Sequence, residues 1–184
     1  MFHTRRVRIW TVGHGTRPIA ELLAILRAVE IAALADIRTV PGSRRHPQFG
    51  QSALRDSLAG AGIAYVHLRA LGGLREPRPD SPHTALRVDA FRGYADHMAS
   101  AEFARDLAAL EELARSEPTA YMCAETDWTR CHRRMLSDLL SVRGWDVTHL
   151  VGLGRIEPHG LWDVARRIGE NLVYDGGAVP LRPR

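Results

Sequence analysis

The chain contains no lysine: all 25 of its basic residues are arginine. That absence removes Schiff-base chemistry, a lysine general base and the lysine of a phosphate-binding loop. Guanidinium groups suit other work, since they bind phosphate and carboxylate in bidentate fashion. Cysteine is scarce as well. The two thiols, Cys123 and Cys131, cannot build a disulfide framework, and they flank an expected strand-to-helix junction, so a reduced compartment is expected. No apolar run approaches a membrane span. The Arg-rich opening MFHTRRVRIWTV lacks the apolar core and cleavage site of a signal peptide. The expectation is a cytoplasmic protein with no membrane partner.

What is present is the composition of one globular unit. The chain has 184 residues, 45% hydrophobic, enough for a single domain with its own core. A formal charge of +4 and a pI near 9.7 admit an anionic partner such as nucleic acid or a nucleotide. Arginines scattered over a solvated surface give the same totals. Oligomeric state is not legible.

The hydropathy pattern alternates strands with helices. Val7–Val12 reads as a buried strand, followed by Gly13-His14-Gly15 and by Thr16 as the cap of a helix with Pro18 and Glu21 in its first turn. Ile31–Ile37 and Ile63–Leu68 read as further strands, and Ser52–Ala59 as a helix between them. The segment 72–88, rich in proline and charge, is expected to be a flap or insertion. A long amphipathic helix over Phe91–Arg115 precedes a strand at Thr119–Ala124 and a helix from Arg133. Val147–Val151 suits a fifth strand, Glu157–Asn171 a last helix, and 172–184 a loosely held tail. This is an α/β pattern: one domain, 1–184, with a mostly parallel sheet covered by helices on both faces and a site at the C-terminal ends of its strands.

Those strand ends carry the chemistry. Glu125 and Asp36 are general acid/base candidates, because a partly buried carboxylate near other charges has a tunable pKa. Ion pairing with one of the many arginines explains either residue equally well. His14, between two glycines, is free to face a ligand and carry a proton near neutral pH, or to serve the turn. Cys131, ahead of His132 at an expected helix N-terminus, is a candidate nucleophile or redox thiol, whereas Cys123 inside a strand suits packing. Arg38, Arg44, Arg45 and Arg133 are candidate phosphate ligands, with Trp128, Phe49 and Tyr94 as candidates to stack on a base. Cys123, Cys131, His132 and His14 suit a metal by ligand type, yet their spacing is not that of a zinc finger or knuckle, so no metal site is expected. Neither the phosphatase pattern of cysteine, five residues and arginine nor a Gly-rich dinucleotide fingerprint is present.

Four blocks, VGHGTR, DIRTVPGSRRHPQF, YVHLRALGG and MCAETDWTRCHRRML, together resemble the family called domain of unknown function 488, in order from Ile9 to Leu150. The resemblance places the family's characteristic positions on His14, Asp36, Arg38, Pro41, Ser43, Arg44, Phe49, Leu71, Gly72, Gly73, Tyr94, Cys123, Glu125, Cys131, His132 and Arg133. It implies an α/β fold and a shared pocket, and it assigns no reaction. From the residues, the leading expectation is a hydrolase acting on nucleic acid or a nucleotide, by N-glycosidic cleavage in DNA repair or processing. A thiol-dependent enzyme or redox sensor centred on Cys131 and a non-catalytic nucleic-acid-binding module are the alternatives.

Overall fold

Alternation along the central strands sorts their side chains to two faces. In β1 (Arg8–Gly13), Val12 packs on one face and Ile9 on the other. β4 (Thr119–Cys123) sends Ala120 and Met122 one way, Tyr121 and Cys123 the other. A strand buried on both faces needs helices on both, and the computed structural model supplies them for the residues it describes, 7–42 and 44–177. Its sheet has six strands in the order β3 (Ala64–His67), β2 (Ala33–Asp36), β4, β1, β5 (Asp146–Gly152), β6 (Arg155–Pro158). The first five run parallel, and β6 closes the edge antiparallel to β5. The fold is α/β, as expected.

Helices α1 (Ile19–Arg27) and α2 (Gln51–Gly60) cover the first face, where Leu22, Ile25, Leu26, Leu54 and Leu58 meet Val12, Leu34 and Met122. Helices α3 (Asp89–His97), α4 (Ala101–Ser116) and α5 (Arg133–Val142) cover the second, with Tyr94, Phe103, Leu110, Met135 and Leu139 against Tyr121 and Val147. The neighbours β1 and β4 therefore send their connections to opposite faces. That divergence opens a crevice at their carboxyl ends.

Four local expectations are corrected. Thr16 does not cap α1; Pro18 stands at the N-cap, its extended backbone leading into the helix without any side-chain bond. The long helix over 91–115 is two helices, because the Ser100 hydroxyl accepts from the Phe103 N–H and starts α4 afresh. No helix spans Glu157–Asn171: Gly154 and Gly169, with φ of 67° and 61°, turn the chain into β6 and into the hairpin β7 (Ala165–Ile168)–β8 (Asn171–Tyr174). Leu172, Val173 and Tyr174, expected in a loose tail, are buried in β8, while 178–184 lie outside the described residues. The 72–88 segment has no regular structure but is tied down: the Arg78 N–H donates to Asp96, Leu86 is buried, and Gly93 of α3 lies against the Arg75 carbonyl. Among the described residues no helix is long and apolar enough to cross a membrane.

Candidate active site

At the crevice the ends of β1 and β4 continue to pair. The His14 N–H donates to the Cys123 carbonyl at 3.0 Å and the Gly15 N–H to that of Ala124 at 2.9 Å. This approach explains the two glycines around His14. A Cβ at Gly13 would lie 1.9 Å from the Glu125 carbonyl oxygen, and Gly15, at φ of 52°, faces the Thr126 methyl. Above the two strands opens a cavity of about 750 Å³, whose wall includes His14, Arg38, His46, Cys123, Glu125, Arg130, Cys131 and His132. The size is that of a small-molecule or nucleotide pocket.

Arg38 is the best-anchored group on this wall. Its Nε donates to Asp36 Oδ1 at 2.9 Å and its Nη2 to Oδ2 at 2.6 Å, while the Arg38 backbone N–H and the Tyr65 hydroxyl also donate to the same carboxylate. Asp36 is fully buried and does not border the cavity. Its expected acid/base role is corrected: its acceptor capacity is spent on aiming Arg38. The remaining nitrogen of Arg38, Nη1, donates to His14 Nε2 at 3.3 Å, and His14 Nδ1 donates to the Gly15 carbonyl at 2.9 Å. Both ring nitrogens are thus engaged in the neutral form. Burial, with the Arg38 guanidinium adding to it, lowers the His14 pKa to about 4. His14 accordingly carries no extra proton near neutral pH, contrary to expectation.

Two more expected groups stand elsewhere. Arg133 is 1% exposed; its Nη1 donates to Thr11 and its Nη2 to the backbone carbonyls of Glu125 and Thr126. It braces the loop after β4 from inside and does not face the cavity as a phosphate clamp. Trp128 stacks on His149 at 3.9 Å and donates to Glu157, so it belongs to a second polar cluster. There His149 bonds His159 and His159 bonds Asp138, each at 2.9 Å.

The aromatic candidates are likewise occupied. Phe49 is buried and stacks on His14 with centroids 4.1 Å apart, and Tyr94 is buried with its hydroxyl donating to the Leu71 carbonyl. Neither is presented to a base. Arg44 and Arg45 are exposed on the loop before Phe49; Ser43 lies outside the described residues. Glu125 is exposed at the cavity, its Oε1 accepting from the Asp127 N–H at 3.0 Å.

The thiols converge. Cys123 Sγ, Cys131 Sγ and a ring nitrogen of His132 all lie within 4.8 Å of one another, and His14 is not among them. His132 Nδ1 is 3.6 Å from Cys131 Sγ and 3.9 Å from Cys123 Sγ. Cys131 holds the more acidic thiol, because Cys123 donates its S–H to it and the Arg133 guanidinium lies close; the same bond, with burial, pushes Cys123 up. Among the described residues these three side chains are the group whose donor atoms could hold a metal ion.

The family model described as Domain of unknown function DUF488 matches residues 18–140. The chain belongs to that family. The matched span holds Asp36, Arg38, Cys123, Glu125, Cys131 and His132, and leaves out His14, which the sequence blocks had included. No curated protein and no solved structure matches the chain. In this DUF488 domain the residues on the cavity wall that the sequence did not single out include His46, Phe91 and Arg130. Arg130 was the recoverable one, since it stands in the same loop as Glu125; His46 reaches the wall from an irregular loop and Phe91 from the first turn of α3, both by tertiary packing.

Proposed function

We propose that the protein is a hydrolase whose substrate, a nucleotide or a nucleic-acid end, sits in the crevice between β1 and β4. Arg38 and Arg130 hold phosphate, and Glu125 moves the proton of the attacking water. The observation that carries this reading is Arg38: a guanidinium locked in bidentate fashion by a buried carboxylate, on the wall of a cavity that also holds an exposed carboxylate. A preset cation lowers the ordering cost of binding an anion. Cleavage of an N-glycosidic bond, in DNA repair or processing, asks chiefly for a carboxylate and a base-sized pocket. A cavity of about 750 Å³ meets the second need.

The pairing of Cys123 with Cys131 at the same wall favours one second reading, a thiol-dependent reaction at Cys131. The two separate in one experiment. Wild type, Glu125→Gln and Cys131→Ser are incubated with nucleotides and with damaged, deaminated and undamaged DNA, with and without divalent metal, and base or strand release is followed. The hydrolase reading expects product from wild type and a loss of about a hundredfold or more in Glu125→Gln. Release undiminished in Glu125→Gln and abolished in Cys131→Ser supports the thiol reading instead. No release from any substrate removes the hydrolase.

A further inference from the structure

We propose that Cys123, Cys131 and His132 form a three-donor site for a single divalent transition ion of the zinc class, with its fourth position open to the cavity. The inference rests on the hydrolase reading for its role, and on geometry alone for its existence.

The donors come from two elements that the fold fixes independently. Cys123 ends β4, and Cys131 and His132 open α5 on the far side of the connecting loop. Their side chains converge although nothing in their spacing resembles a finger or knuckle. A tetrahedral ion with metal–sulfur bonds of about 2.3 Å and a metal–nitrogen bond of about 2.0 Å spans nitrogen–sulfur edges of about 3.5 Å. His132 Nδ1 stands 3.6 Å and 3.9 Å from the two sulfurs. The two sulfurs lie within 4.8 Å of each other, against a sulfur–sulfur edge of about 3.8 Å around such an ion.

The surroundings favour the same use. Among the described residues His132 Nε2 is shut off from solvent without a hydrogen-bond partner, and Nδ1 is the ring nitrogen that contacts the sulfurs. The ring is wedged between Tyr94, at 5.0 Å between centroids, and Gly73, where a Cβ would lie 2.9 Å from Nδ1. The Arg133 N–H donates to Cys131 Sγ at 3.5 Å, an outer contact of the kind that tunes a metal-bound thiolate. Two thiolates and an imidazole select a borderline-to-soft ion over magnesium or calcium. Three protein ligands leave a position for water, and all three line the cavity that holds Glu125. An ion there lowers the pKa of that water. Glu125 takes the proton as the water oxygen bonds to the substrate's electrophilic atom, then returns it to the departing group as the old bond breaks.

The test is spectroscopic. Chelator-treated, reduced protein is titrated with cobalt(II) and back-titrated with zinc(II). The site predicts saturation at one equivalent, a near-ultraviolet sulfur-to-cobalt charge-transfer band and the visible bands of a tetrahedral ion, all erased by zinc. Cys123→Ser, Cys131→Ser and His132→Ala each weaken uptake by more than about a hundredfold, and His14→Gln leaves it unchanged. Circular dichroism of each variant separates donor loss from unfolding. Absence of the charge-transfer band in folded wild type, or cobalt affinity undiminished in both serine variants, overturns the site. Cobalt binding without turnover of any substrate leaves the site standing and removes the hydrolase; turnover unchanged after removal of the ion leaves the hydrolase standing and overturns the ion's role in it.

Discussion

Asp36 and Arg38 are two positions apart and look, on paper, like a base and its neighbour. Folded, they are one unit: the carboxylate receives four donor groups, and one of the arginine nitrogens is left to reach His14. Removing the charge of one member strands the other inside the protein. Asp36→Asn is therefore expected to cost about 3–5 kcal/mol of unfolding free energy, read from urea transitions. His14 and His149 make a second prediction. Both are held neutral chiefly by burial, at about 4 and about 2 against an ordinary 6.5. As pH falls below 6.5 the unfolded chain takes up these protons and the native one does not, so stability is complete above 6.5 and declines toward pH 4. Melting temperatures should fall across that window, and His14→Gln should flatten the slope. Neither pairing was legible in the sequence. Residue type named Asp36 and His14 as reactive, but partners decide whether a group is reactive or spent, and Tyr65 and Phe49 reach them from other elements.

The loop and helix from Cys123 to Val142 were legible, because an apolar strand, a polar junction and a resumed helical spacing follow one another in the chain. What the junction does was only partly so. Arg133 and Trp128 stand among Glu125, Cys131 and Arg130, yet they turn inward while the others line the cavity, and a one-dimensional pattern does not record that turn. The C-terminal stretch was misread for a related reason. A helix is expected over Glu157–Asn171, but Gly154 and Gly169 adopt positive φ and fold the segment into strands. The break between α3 and α4 is the case that mutation checks most simply. Ser100→Ala removes the bond to the Phe103 N–H and should cost about 1 kcal/mol, measured by thermal or urea unfolding.

At the scale of the whole molecule, strand order makes the site. Because β1 and β4 are neighbours whose helices depart to opposite faces, a crevice opens above His14 and Cys123, and residues distant in the chain gather around it. The alternation of strands with helices supports the five parallel strands and their direction, but not β6, β7 and β8; the order 3-2-4-1-5-6 depends on long-range pairing that no local pattern encodes. The proposed function stands or falls on this crevice as an anion site. The most direct measurement is the equilibrium binding of a fluorescent nucleotide and a short oligonucleotide, at several salt concentrations, to wild type, Arg130→Ala and Arg155→Ala. Arg130 lines the cavity, whereas Arg155 lies exposed on the edge strand β6. The account predicts affinity that falls with salt, weakens about tenfold in Arg130→Ala and is unchanged in Arg155→Ala. Equal affinity for all three proteins, or no binding at any salt concentration, contradicts it.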